Sequence, residues 1–170
     1  VVPFDFESKD WPELWAGLTD SIHFWADRGV RAFRVDNPHT KPFGFWEHAI
    51  GDVKSRHPDT VFLSEAFARP NIQDALGKAG FDQTYTYFPW KTTPDELRGL
   101  GEHYAADGRP LYMTPSHWPT THDILPENLQ GAGRDAVALR ATLASTMSPT
   151  YGNYGPAYER LIPTARETGS

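Results

Sequence analysis

The sequence has no cysteine, so no disulfide framework, thiolate metal site or cysteine nucleophile can be built from it. It is also short of positive charge, with 16 Lys and Arg against 22 Asp and Glu, a formal net charge of −6. Without a run of Lys or Arg, the chain is a poor match for a phosphate backbone or an anionic bilayer, and neither nucleic acid nor membrane is an expected partner. An apolar stretch of about 18 residues is missing, as is a charged-then-apolar leader, so neither a membrane span nor an export signal is predicted. An initiator methionine is missing too. The chain opens Val1-Val2-Pro3, and the expectation is a piece of something longer.

What is present is aromatic and loop-forming: 10 Phe, 7 Tyr and 6 Trp beside 15 Pro and 14 Gly in 170 residues. A chain of this length can bury roughly two-thirds of its unfolded surface. Aromatic faces among shaped loops suit a core, and equally suit sugars or flat ligands.

Helices and strands alternate along the sequence. Asp10-Trp11-Pro12-Glu13 reads as a capping box with proline in the first turn, opening a helix from about 11 to 28 with Leu14, Trp15, Leu18, Ile22 and Trp25 on one face and Gly29 as its stop. Val30 to Val35 is β-prone and ends in Asp36-Asn37-Pro38-His39. A helical face (Phe45, Trp46, Ala49, Ile50, Val53) leads to a buried strand run, Thr60 to Ser64, with Glu65 at its end. A short helix over about 71–79 and a strand over Gln83 to Phe88 follow, then a second capping box at Thr93-Pro94-Asp95-Glu96. Strand-like residues between Leu111 and Thr121 end at His122-Asp123; Arg134 to Thr146 is helical, and Met147 to Tyr154 reads as a last strand. About five strands between helices predict an α/β fold with a parallel sheet. Asp36, Glu65 and Asp123 would then lie at C-terminal strand ends, where such folds place their chemistry.

Arg34 and Asp36, two apart in a strand, share a face, and a guanidinium beside a carboxylate favours the ionised form a nucleophile needs. Glu65 follows the apolar run Val61-Phe62-Leu63, a setting that favours a general acid. A buried ion pair for the first and a strand-end salt bridge for the second are the plain structural alternatives. Two carboxylates in opposite environments are what a retaining glycosidase uses, one as nucleophile and one as acid/base, about 5 to 5.5 Å apart.

Arg34-Val35-Asp36, Glu65 after its apolar strand, and His122-Asp123 resemble short regions of the α-amylase superfamily, glycoside hydrolase family 13, in order and spacing and over essentially all 170 residues. Within it, Asp36-Asn37-Pro38-His39-Thr40-Lys41-Pro42, the stretch Phe62 to Phe67, Tyr85 to Phe88 and Asp123-Ile124-Leu125 are similar to the maltosyltransferases that use maltose 1-phosphate. The resemblance implies part of a (β/α)8 TIM barrel. A whole barrel takes about 250 residues, so residues 1–170 would be its C-terminal part, roughly strands four to eight with their helices. Strands four and eight would be open edges, and the isolated chain is expected to be poorly soluble or inactive.

The resemblance further implies a double displacement in which Asp36 attacks the anomeric carbon, Glu65 serves as acid and then base, and Asp123 holds the donor sugar. Arg34 would orient Asp36, and Asn37 matches a position that contacts the donor's phosphate. His39 and Lys41 would reach sugar hydroxyls or the acceptor, or stay in a solvated loop. Thr120-Thr121-His122 departs from the Asn-Thr-Pro usual before the third aspartate in these transferases. A histidine there is closer to the amylases, where it binds the donor sugar, so His122 joins the candidates. No metal and no cofactor are expected: of the candidates His39, His117, His122 and Asp123, the histidines lie in separate loops without an i, i+4 pairing. The expected partners are maltose 1-phosphate or an α-glucan as donor and an α-1,4-glucan as acceptor, in the cytoplasm, with any homodimer contact through parts outside this chain. The competing readings are an α-glucan hydrolase, a trehalose-forming transglycosidase, and a non-catalytic glucan-binding fragment that grips sugar through Trp90, Trp118 and Tyr154.

Overall fold

The computed structural model describes residues 4–106 and 108–159; the opening Val1-Val2-Pro3 lies outside them. Strands and helices alternate through two compact units, Val1–Thr84 and Tyr85–Ser170.

In the first unit, α1 (Trp11–Ala26), β1 (Ala32–Asp36), α2 (Phe43–Arg56), β2 (Val61–Glu65) and α3 (Pro70–Lys78) lead to β3, Gln83–Tyr85. β1 and β2 are parallel, paired from Ala32↔Val61 to Asp36↔Glu65, and β2 pairs with β3 through Leu63↔Gln83 and Ser64↔Thr84. Paired residues of a parallel ladder share a face, which sorts the strand side chains into two sets. Phe33 and Phe62 stack at 5.6 Å on the helix side. There they meet Phe45, Trp46, Ala49, Ile50 and Val53 of α2 and Leu76 of α3 in one apolar core. Phe62 is fully buried, and its truncation to alanine would cost about 3–5 kcal/mol. Arg34, Asp36 and Glu65 take the other face. The apolar β2 run thus serves the core with alternate residues and delivers Glu65 to the opposite side.

Two features of α1 differ from the expectation. Asp10 sits at φ −100°, ψ 19° and makes no side-chain cap bond. The chain turns tightly before it, with the Trp11 N–H donating to the Ser8 carbonyl, and a cap aspartate needs the extended backbone that this turn denies. The inward face is also wider than the expected one: Leu14, Trp15, Leu18 and Ile22 pack against the core as predicted, Thr19, His23 and Ala26 beside them are buried, and only Trp25 of the expected face turns out, 54% exposed. His23 tolerates burial because its Nε2 bonds Asp52 Oδ2 on α2 at 2.7 Å. That hydrogen bond is the main reason the Asp52 carboxyl titrates below its ordinary value. Gly29 does end the helix, at φ +95°.

In the second unit, α4 (Pro94–Ala105), β4 (Thr114–His117), α5 (Gly133–Met147), β5 (Thr150–Tyr151) and α6 (Gly155–Glu159) follow. β4 and β5 are parallel, paired through Ser116↔Thr150 and His117↔Tyr151. The second capping box forms as its residues predict, with the Glu96 N–H donating to Thr93 Oγ1. The backbone N–H groups of Thr92 and Thr93 in turn hold the Glu96 carboxyl down at about 2.

The strands here are shorter than their sequence suggests. β3 ends at Tyr85, because Phe88-Pro89-Trp90 winds into a 3-10 turn. Buried Arg140 of α5 clamps that turn, donating to the carbonyls of Lys91 and Phe88 and covering the Phe88 ring at 3.9 Å. The ring's other neighbour is His117, stacked at 4.8 Å. β5 shrinks to two residues between Pro149 and Gly152. Gly152 lies so close to the Trp118 indole that an added Cβ would sit 2.1 Å from it. Among the described residues no helix is long and apolar enough to cross a membrane.

Candidate active site

The tips of β1 and β2 carry the polar cluster of the first unit. Because Asp36 and Glu65 are register partners on adjacent parallel strands, their Cα atoms are set by a strand spacing of about 4.8 Å. Arg34, two residues before Asp36, lies between the two carboxylates. Its Nη1 is 3.4 Å from Asp36 Oδ2 and its Nη2 is 3.4 Å from Glu65 Oε1. One guanidinium thereby faces both carboxylates.

The two carboxylates differ in solvent access. The Asp36 side chain is 66% exposed and open to an incoming group, whereas that of Glu65 is 10% exposed. Glu65 is not walled by apolar groups alone, as its strand suggested: besides Arg34, its Oε2 accepts from the Asn37 N–H at 3.3 Å. Asn37 also donates from Nδ2 to Asp36 Oδ1 at 2.7 Å. The structure therefore brings Arg34, Asp36, Asn37 and Glu65 together. His39 lies on the 3-10 turn Pro38–Thr40 just beyond, its Nδ1 buried without a hydrogen-bond partner. Lys41 folds back so that Nζ donates to Thr40 Oγ1 at 2.8 Å.

Asp123 and His122 belong to the second unit, and there the strand expectation fails. β4 stops at His117, and Pro119 and the loop after it carry the chain to Asp123. The turn is built by Thr121, whose Oγ1 accepts from the N–H groups of Asp123 at 3.2 Å and Ile124 at 3.0 Å, while the Thr121 N–H donates to the Ile124 carbonyl at 3.0 Å. His122 Nε2 lies 2.8 Å from Asp123 Oδ2, both side chains more than half exposed. Thr121 was not singled out in the sequence, yet a threonine two residues before a turn aspartate is a recognisable side-chain-to-backbone signal. Of the aromatic candidates, Trp90 is exposed. Trp118 stacks on Tyr85 at 4.8 Å and donates to Ser116 Oγ. Tyr154 is half-buried.

His117 is a titratable group of a different kind. It is 1% exposed, with Nδ1 against Thr86 Oγ1 at 2.9 Å. Burial, and then the Arg140 guanidinium, push the imidazole down to about 4. It stays neutral at ordinary pH and packs against the Phe88 ring that Arg140 of α5 also covers. Among the described residues no three His, Asp or Glu side chains converge on a metal geometry.

No protein-family model matches the chain. Individual proteins do. The α-1,4-glucan:maltose-1-phosphate maltosyltransferase of Chlorobaculum tepidum is 48% identical over 159 residues, 94% of this chain and 24% of that protein. The enzyme of the same name from Salinibacter ruber is 46% identical over 167 residues, 98% of this chain and 25% of its own length. Among solved structures, an α-amylase from H. orenii superimposes with a TM-score of 0.73 at 19% identity, over 87% of this chain and 35% of the other. A cyclic α-maltosyl-(1→6)-maltose hydrolase from Arthrobacter globiformis gives 0.69 at 21%, over 85% and 35%. These two likenesses concern the fold alone. The chain is a homologue of the α-1,4-glucan:maltose-1-phosphate maltosyltransferases, spans about a quarter of the length of those it matches, and shares the α/β fold of the α-amylases.

Proposed function

We propose that the intact protein transfers maltosyl from maltose 1-phosphate to the non-reducing end of an α-1,4-glucan, retaining configuration and releasing phosphate. The observation that carries this reading is the Arg34 bridge between two carboxylates on register-paired strand tips, one open and one enclosed. A retaining site needs that pair at about 5 to 5.5 Å. The names of the homologues supply the donor and acceptor.

In the first step an Asp36 oxygen attacks the anomeric carbon. The bond from that carbon to the phosphate oxygen breaks, phosphate leaves with the electron pair, and Glu65 gives it a proton. In the second step Glu65 takes the proton of an acceptor hydroxyl whose oxygen attacks the same carbon, and Asp36 departs as carboxylate. Exposure suits these roles: the nucleophile must be reached, while the acid/base works best away from bulk water. Asn37 has a second amide hydrogen beyond the one on Asp36, able to donate to the phosphate, and His39 and Lys41 would meet sugar or acceptor hydroxyls. For Asp123 and His122 the sequence motif carries the proposal: hold the donor's hydroxyls and stabilise the positive charge that develops on the sugar ring. A sugar phosphate carries charge that a bilayer excludes, so we place the reaction in the cytoplasm with its donor.

The test is phosphate release from maltose 1-phosphate plus glycogen by the intact protein. Release that depends on glycogen supports the transferase. Reducing sugar from starch with no phosphate from the donor would sink it in favour of the hydrolase.

A further inference from the structure

Among the described residues, Asn37 is the one non-glycine residue with left-handed backbone, φ 45° and ψ 52°. Left-handed backbone is uncommon for any side chain, and asparagine is among the residues that adopt it most readily. Such a conformation persists only where its surroundings over-determine it, and here they do. The Asn37 N–H reaches both the carbonyl of Glu65, at 3.1 Å, and its Oε2, at 3.3 Å. The Asn37 carbonyl accepts from the Thr40 N–H at 3.1 Å and Thr40 Oγ1 at 2.8 Å. The next residue, Pro38, is buried, and its carbonyl takes the Trp46 indole N–H at 2.8 Å.

The conformation has a definite effect on the side chain. If residue 37 continued β1 in extended form, its side chain would point to the face opposite Asp36, because neighbours alternate along a strand. Turning left-handed instead brings the amide back onto Asp36 Oδ1, at 2.7 Å. One residue thus touches both carboxylates, Glu65 through its backbone and Asp36 through its side chain.

From this we infer that Asn37 is a positioning residue that fixes the spacing of Asp36 and Glu65 whatever leaving group the donor carries. The inference rests on the retaining reading and goes beyond a contact to phosphate. Double displacement uses the two carboxylates in turn on one anomeric carbon, and a misplacement of about 1 Å can cost on the order of a hundredfold in rate.

The experiment uses α-maltosyl fluoride, a donor without phosphate, and follows fluoride release by the intact wild-type protein and by Asn37→Gly, Asn37→Ala and Asn37→Asp. Glycine keeps the left-handed backbone and loses only the amide, so Asn37→Gly should lose the least. Asn37→Ala should fall about tenfold below it in kcat, with KM within about twofold of wild type, because alanine resists that backbone. Asn37→Asp has the same shape and backbone tolerance but sets a second negative charge against Asp36; it should lose the most, about a hundredfold. Melting curves accompany all three, and if Asn37→Ala fails to fold, the gap between Asn37→Gly and Asn37→Asp decides. Fluoride release within twofold of wild type in every folded variant would overturn the proposal, since a residue that touches only phosphate gives that result. Equal loss in Asn37→Gly and Asn37→Ala would also overturn it. No fluoride from the wild-type protein is a separate failure, that of the retaining reading itself, and would take the proposal with it.

Discussion

The two units deliver their polar residues by different means. In the first, Asp36 and Glu65 stand at the ends of paired strands, so backbone hydrogen bonds set the spacing of their Cα atoms and leave only the carboxylates themselves to be fixed by Arg34 and Asn37. In the second, Asp123 stands on a turn past the end of β4, held in shape by the Thr121 hydroxyl. Register gives placement that survives most side-chain changes, whereas a turn built on one hydroxyl is only as good as that hydroxyl. The difference also locates adaptability: the loop can be re-aimed by few substitutions, and the strand tips cannot.

Four changes would break or sharpen that contrast. The largest effect is expected at the strand tips. Asp36→Asn should lower turnover by about 10⁴ or more, as loss of a nucleophile does, while glucan binding measured by calorimetry persists; normal turnover in that variant would end the mechanism. Loss of the turn should cost less. Thr121→Val removes the acceptor of two N–H groups and should reduce kcat/KM about tenfold, with Thr121→Ser within about twofold; a Val variant as active as the Ser variant would show that the loop needs no such support.

The third concerns acid. His117 titrates at about 4 when folded against 6.5 unfolded, so between these pH values the unfolded chain binds a proton that the folded chain refuses. Its contribution is complete above about pH 6.5 and declines as pH falls toward 4, by roughly 2–3 kcal/mol. Urea titrations at pH 7, 5.5 and 4.5 should show that decline, and His117→Gln should flatten it. The smallest effect separates the two look-alike helix starts. Thr93→Ala should destabilise by about 1 kcal/mol, and Asp10→Ala should change stability by less than about 0.5 kcal/mol. Equal melting shifts would contradict the observed caps.

That last pair shows where the sequence is readable. Asp10 and Thr93 carry the same local signal, and the tight turn from Ser8 to Trp11 that defeats the first is visible only in three dimensions. Strand and helix order, and the cluster of Arg34, Asp36 and Glu65, were legible because alternation and i, i+2 spacing are properties of the backbone itself. The strand ends were less so: β3 stops at Tyr85 because Arg140, far along the chain, claims the carbonyls of Phe88 and Lys91. The burial of His23 on α1 depended on Asp52, a partner that local periodicity cannot see. Asn37 was legible as a polar neighbour of the nucleophile candidate, but not as a left-handed residue tying two strands.

Gly152 has a further bearing on how this sequence can drift. With the Trp118 indole 2.1 Å from where its Cβ would stand, position 152 accepts no side chain while the tryptophan stays. Loss of the tryptophan first would strip Tyr85 of its stacking partner. Neither single step is neutral, so descendants should keep both residues or replace both. In collections of mutants selected for function, these two positions should therefore travel as a linked pair.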